Sequence, residues 1–197
     1  MMATLTNIND LSDPVARKTT WTPLIKGGSS FKSHQVHLIS ESKMQVKISL
    51  SMKLFIGLFY VAAAFLVGIW GYVEGVKGVE MGAGRYASIL LGAVFGGIGV
   101  WIWYSVAQTI VFDSAAGQFI KGEQTLALDD IYAIQLIAEQ VMGMGTQGSY
   151  PSYELNLVLQ DGQRINVMDH ASLNSIRKDA EALTSFLNVQ LWDTIEP

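Results

Sequence analysis

The spacing of apolar residues changes character three times along the chain. From Phe31 to Leu50 polar and apolar positions alternate, with Val36 and Leu38 before Ser40-Glu41-Ser42-Lys43 and Val46 and Ile48 after it. That period of two predicts a β-hairpin. Alternation then gives way to two uninterrupted apolar runs, Leu54 to Val73 and Tyr86 to Val106, neither of which contains a charged residue. At about 1.5 Å rise per residue each run, as a helix, is long enough to cross a hydrocarbon core of roughly 30 Å. In lipid the backbone of an isolated apolar segment must satisfy its own polar groups, which requires a helix. Two transmembrane helices are predicted, 54–73 and 86–106, with an external loop at 74–85.

Period two returns after Val106. Thr109 to Asp113 reads as a strand, Ser114 to Gly117 as a turn, Gln118 to Lys121 as the antiparallel return, and Ile131 to Val141 as a longer strand. Tyr153, Leu155, Leu157 and Leu159 alternate with Glu154, Asn156 and Val158, then Asp161-Gly162 supplies a two-residue turn before Ile165 and Val167. This hairpin is expected to bury Leu157 and to turn Val158 to its other, less buried face. Leu173, Ile176, Ala180, Leu183 and Leu187 then recur at three- and four-residue intervals behind Ser172, a candidate N-cap, which predicts a closing amphipathic helix with Val189 to Trp192 packed beside it.

The fold class expected is therefore a membrane α-helical hairpin plus an α+β domain. Residues 1–20 are polar and lack the basic, apolar and small-residue zones of a secretory signal, so they read as a disordered tail. Residues 21–53 read as a cytoplasmic segment, with a loop at Trp21 to Ser30 before the hairpin, and 107–197 as the soluble domain. Whether 31–50 joins the sheet of that domain is open at this point.

Composition sharpens the membrane reading, since 50% of the 197 residues are hydrophobic and 15% charged, against roughly 25% charged in ordinary soluble domains. The net charge of −4 conceals an asymmetry: the chain to Lys53 carries seven Lys/Arg against three Asp/Glu, and from Asp113 onward four against twelve. Lys43, Lys47 and Lys53 precede the first apolar run, whereas the loop between the runs offers Lys77 and Arg85. The positive-inside rule then places both termini in the cytoplasm of a cell inner membrane, with Trp70, Tyr72 and Tyr86 at the outer interface and Trp101, Trp103 and Tyr104 at the inner one. Within the runs, Ala64-x-x-x-Gly68 and Gly92-x-x-x-Gly96 are small-residue pairs that let helix backbones approach closely. They suit packing of the two helices within one chain, or contact with a second copy in a homo-oligomer.

The two apolar runs, the strand ending in Val111-Phe112-Asp113, the turn at Gly117, the Leu128-Asp129-Asp130-Ile131 step, the later strands and the terminal helix together resemble bacterial two-helix membrane proteins with a PH-like domain. The resemblance covers roughly residues 54 to 190. Phe119-Ile-Lys-Gly122, Ser152-Tyr-Glu-Leu-Asn-Leu-Val-Leu159 and Arg164-Ile-Asn-Val-Met-Asp-His170 are also similar to uncharacterised proteobacterial membrane proteins. A PH-like module implies an antiparallel sheet or partial barrel capped by a C-terminal helix and used for docking, and no catalytic residue comes with it.

Candidate chemistry is sparse. Without cysteine there is no thiolate nucleophile and no Cys-based metal site. Gly143-Met-Gly-Thr-Gln-Gly148 satisfies G-x-G-x-x-G, but Ser149 to Ser152 leads into a strand, and a pyrophosphate needs a helix N-terminus there. His34 and His37 fall on opposite faces of a strand, and Asp169-His170 lacks a nucleophile turn. The apolar runs hold none of the ionisable groups that mark ion paths. The expectation is no catalytic residue, no cofactor, no metal and no nucleic acid. The partners expected are the lipid bilayer and a docked protein. A lipid-sensing module, or a subunit of a membrane enzyme or channel complex, is the alternative.

Overall fold

The structure, a computed structural model, describes residues 4, 5, 13–25, 27, 28, 30–77, 82–142 and 148–195. Its fold class is α+β, and it divides into two units, residues 1–49 with 109–197 and residues 50–108. Among the described residues there are ten strands and three α-helices: β1 (Thr4–Leu5), β2 (His34–Ser40), β3 (Lys43–Ile48), α1 (Leu50–Lys77), α2 (Gly82–Val106), β4 (Ile110–Asp113), β5 (Gln118–Lys121), β6 (Gln124–Ala127), β7 (Ile131–Met142), β8 (Ser149–Leu159), β9 (Arg164–His170), α3 (Leu173–Leu187) and β10 (Gln190–Asp193).

In the first unit the strands form two five-stranded sheets, β2-β3-β4-β5-β6 and β1-β10-β7-β8-β9. The former is an antiparallel meander in which Val36 pairs Val46 and Val46 pairs Ile110, so residues from before and after the two long helices form one row. The hairpin of 31–50 thus belongs to the same sheet as the residues after 109, and the apolar helices are the connection between paired neighbours β3 and β4. A second row runs Met44, Phe112, Phe119, Leu126, with the two phenylalanine rings 5.0 Å apart and fully buried.

The second sheet is mixed: β7-β8-β9 is antiparallel, while β10 joins β7, and β1 joins β10, in parallel. Residues 189–192, expected beside the helix, do contact α3, and Gln190–Asp193 also form this strand, with Trp192 fully buried. Asn188 makes the reversal possible by taking the left-handed conformation at φ 55° directly after α3. Ile176, Ala180 and Leu183 of α3 are buried as the spacing predicts, against the inner faces of both sheets. Ser172 stands at the N-cap, but its hydroxyl meets Ser175 Oγ at 2.9 Å and caps no backbone N–H.

Two expectations need correction. Asp161-Gly162 lies in a four-residue loop, 160–163, closed by Leu159 N–H to Gln163 O and by Gly162, at φ 89°, donating to Leu159 O. Residues 13–20, expected to be disordered, are folded. Asp13 Oδ1 accepts from Val15 N at 2.8 Å and Ala16 N at 3.0 Å, and Thr19 N returns to Val15 O, which makes one capped turn. Val15 and Ala16 are buried with Ala133, Val158 and Trp192 in a second core on the far side of the second sheet.

In the second unit α1 and α2 pack on each other. α1 begins four residues earlier and ends four later than predicted, and α2 begins four earlier and ends at Val106 as predicted, so of the expected loop 74–85 residues 74–77 and 82–85 are helical and 78–81 lie outside the described residues. Windows Leu50–Ile69 and Gly84–Val106 are long and apolar enough to cross a membrane, and 11% of each is buried.

Candidate functional site

Two places in the structure carry arrangements beyond ordinary core packing: the seam between α1 and α2, and the outer face of the β7-β8-β9 sheet.

At the seam, Gly92 is buried, and a Cβ on it would lie 2.8 Å from Val67 Cγ2 and 3.2 Å from the Ala63 carbonyl oxygen. A Cβ on Gly96 would meet Ala63 Cβ at 3.8 Å, and one on Gly99 would meet Phe59 Cβ and the Tyr60 ring at 3.3 Å. Phe59 also faces Phe95, with ring centroids 6.2 Å apart. The α2 pair Gly92 and Gly96 is therefore at the helix contact. Ala64 and Gly68 are not: both are exposed, and a Cβ on Gly68 would touch nothing within 4 Å. The α1 partner is Ala63, one residue away from the expected motif, about a 100° rotation around a helix of 3.6 residues per turn.

The outer sheet face has a different chemistry. In β8, Leu155 and Leu157 point into the main core, so Ser152, Glu154, Asn156 and Val158 point the other way. Register places Glu154 opposite Asp169 and Asn156 opposite Asn166 and Gln135. A shift in β9 between those pairs gives it one extra residue, so Val167 and Met168 both reach the core and Asn166 and Asp169 share the outer face. Asn166 Nδ2 donates to Asp169 Oδ1 at 3.1 Å, and Arg164 Nη1 donates to Gln135 Oε1 at 3.1 Å.

Over this face runs a strap made of residues 13–25 with Gly27 and Gly28. Tyr132 Oη donates to Asp13 Oδ2 at 2.8 Å, and that bond together with burial raises the phenol above its ordinary range. Trp21 donates to Ala16 O and stacks on Trp192 with centroids 5.4 Å apart. Gln135 Nε2 donates to Thr20 O. Glu154 is 3% exposed, and its carboxylate accepts the backbone N–H groups of Leu24 and Ile25, each at 2.9 Å, as well as Asn156 Nδ2. Tyr150 Oη donates to Gly28 O at 3.2 Å, and Gly28 lies so near β8 that a Cβ there would be 2.2 Å from Ser152 Oγ. The strap is thus held by side chains from Asp13 to Trp21 and through its backbone from Leu24 on, where the Glu154 carboxylate strengthens the bonds it accepts.

Burial and the neighbouring Glu154 charge push the Asp169 carboxyl up to about 6, with Glu139 adding to the shift and Asn166 and Lys121 opposing it. Lys121 donates to Asn166 O at 2.7 Å, and its own burial lowers its ammonium below the ordinary range. Arg164 is lowered by burial and supported by Glu154. Asn156 Oδ1 is buried with no hydrogen-bond partner among the described residues.

The other candidates separate. Asp169 and His170 are neighbours on β9 and face opposite sides, Asp169 outward and His170 fully buried beside α3, where its Nε2 lies 4.0 Å from Asp179 Oδ2. His34 and His37 pair with Ile48 and Gln45 on β2. Residues 143–147 of the glycine motif lie outside the described residues, and its last glycine, Gly148, leads directly into β8. Among the described residues no group of three or more His, Asp or Glu is placed to hold a metal ion. No family model, curated protein or solved structure compared with this chain matches it.

Proposed function

We propose that this protein is a two-span inner-membrane protein that presents a PH-like domain to a protein partner as a docking or assembly element, with both termini in the cytoplasm. The observation that carries the reading is the composite sheet: Val46 and Ile110, on either side of the two apolar helices, are paired neighbours. Hydrogen-bonded strands of one sheet lie on one side of a bilayer, so the chain between them crosses an even number of times. Helices of which 11% is buried, with Leu54, Leu58, Val61, Phe65, Leu90 and Val94 exposed, suit lipid rather than water.

Lys43, Lys47 and Lys53 on the N-terminal flank favour the cytoplasm for the strands. Antiparallel sheets closed by α3 are what a PH-like domain implies, and the parallel pairing of β10 is an addition to that plan. A protein partner is favoured over an anionic headgroup by charge, since the unit formed by residues 1–49 and 109–197 carries ten Lys/Arg against fifteen Asp/Glu and each basic residue near an anionic surface contributes on the order of 1 kcal/mol.

The test is co-purification of the full protein from gently solubilised membranes, combined with an alkaline phosphatase fusion at the C-terminus. A stoichiometric protein partner and an inactive phosphatase support the reading. Active phosphatase overturns the orientation, and bound anionic lipid without protein overturns the docking role in favour of lipid sensing.

A further inference from the structure

Glu154, buried, and Asp169, half-buried, lie on the sheet face beneath the strap, whose Leu24 and Ile25 are held there by main-chain bonds. Glu154 supplies the acceptor for two consecutive strap N–H groups, and Asp169 stands opposite it in the β8–β9 register. The charged groups facing this pair come from three strands. Glu139 of β7 receives Gly27 N–H at 3.4 Å, Arg164 of β9 is held on Gln135, Lys121 of β5 is held on the Asn166 carbonyl, and Asp169 and Glu154 face each other. Beside β2, Ser33 Oγ donates to the Asp169 carbonyl at 2.6 Å and meets His34 Nδ1 at 2.9 Å, so His34 is one hydroxyl removed. Both cations are therefore engaged with neutral acceptors, and neither bonds Asp169.

We propose that the Glu154–Asp169 pair makes closure of the strap at Leu24 and Ile25 over the β7-β8-β9 sheet dependent on pH, the strap closing when Asp169 is protonated and loosening when both carboxylates are charged. With Leu24 and Ile25 bonded to it Glu154 is buried, while Asp169 opposite it is half-buried, so two charges there repel through a medium that screens poorly. Opening hydrates Glu154, which screens the repulsion and leaves Leu24 and Ile25 bonded to water. Asp169 is raised to about 6 in the closed state and returns toward its ordinary 3.8 when hydrated. For a group whose value is raised, the stabilisation is complete below the open-state value and is lost as pH rises through the closed-state one, here between roughly pH 4 and 6. A difference of that size bounds the change in the open-to-closed ratio at about a hundredfold.

The test is amide hydrogen exchange of the full protein in detergent micelles from pH 4.5 to 8, with each rate divided by the intrinsic rate at that pH. Protection of Leu24 and Ile25 is expected to fall by at least tenfold between pH 4.5 and about 6.5 and to level off above that, while Leu155 and Leu157 of β8 hold theirs. Asp169→Asn should make the strap protection flat with pH. Should that variant fail to fold, Glu154→Gln, which removes the field on Asp169, should move the point of levelling down by a measurable fraction of a unit. Strap protection without a step in the unaltered protein overturns the proposal. So does a step that survives Asp169→Asn or stays in place in Glu154→Gln, or one that the β8 amides share.

Discussion

Leu157 and Val158 are consecutive residues of β8, and both are fully buried, Leu157 in the core between the two sheets and Val158 against Val15, Ala16, Ala133 and Trp192 on the other side. One strand therefore serves two cores. Leu157→Ala is expected to lower stability by about 2–5 kcal/mol. Val158→Ala removes two methyl groups at about 0.8 kcal/mol each plus the cavity they leave, so its loss should be about 2 kcal/mol, well above a surface substitution. Denaturant unfolding of the full protein in micelles measures both, and a neutral Val158→Ala would mean that the strap is not packed on β8.

Alternation along β8 located the strand and its inner face, but alternation alone treats the second face as exposed. The signal for a covered second face is present in β7, where Ile131 to Ala138 is almost continuously apolar, a pattern of strands buried on both sides. Asp13-Pro14 likewise combines an N-cap residue with proline at the first turn position, a local start signal inside a stretch whose composition reads as disordered. The Glu154–Asp169 pairing was not readable, because the extra residue at Val167 changes which side chains share a face and no pattern in the residues marks it. The helix seam was half legible: small residues identify close approach, while residue size does not distinguish Ala63, which meets Gly92 and Gly96, from its neighbour Ala64.

At that seam, Gly92→Ile should loosen the α1–α2 pair, since its Cβ alone comes within 2.8 Å of Val67 and 3.2 Å of a backbone oxygen. Gly68→Ile should leave it unchanged, because nothing lies within 4 Å. Thermal stability in mild detergent separates them: a clear fall for Gly92→Ile, a smaller one for Gly96→Ile, and none for Gly68→Ile. Equal falls at 68 and 92 would place a second helix contact on the Gly68 side.

Gly28→Ala tests how tightly the strap lies on β8. Its Cβ would sit 2.2 Å from Ser152 Oγ and 2.7 Å from Ser152 Cβ, and Ser152 is buried and fixed in the strand. Overlap of this kind costs about 1–3 kcal/mol and is relieved here by lifting the strap end. Exchange at the Gly27 amide should quicken, and Ser152→Gly in the same chain should restore it. Failure of the second substitution to rescue would mean that the alanine acts through the backbone alone.

The final expectation follows from the pairing of β3 with β4. Because Lys43 to Val46 lie beside Ile110 to Asp113, the helices 50–108 form an insertion at one hairpin connection, and a short glycine-serine turn should replace them. The resulting chain retains both sheets, α3 and the strap, with Phe112, Phe119 and Trp192 still covered, and is expected to be soluble and to unfold cooperatively. Residues 107–197 alone keep α3 and most of the second sheet, yet they lose β2, β3 and the strap together. That uncovers Phe112 and Ile110 on one side and Val158 and Trp192 on the other, more apolar surface than a fragment of this size can leave exposed without aggregating. Circular dichroism and sedimentation of the two chains decide the matter, and a fragment 107–197 that is monomeric with a sharp thermal transition would show that the N-terminal strands and strap are dispensable.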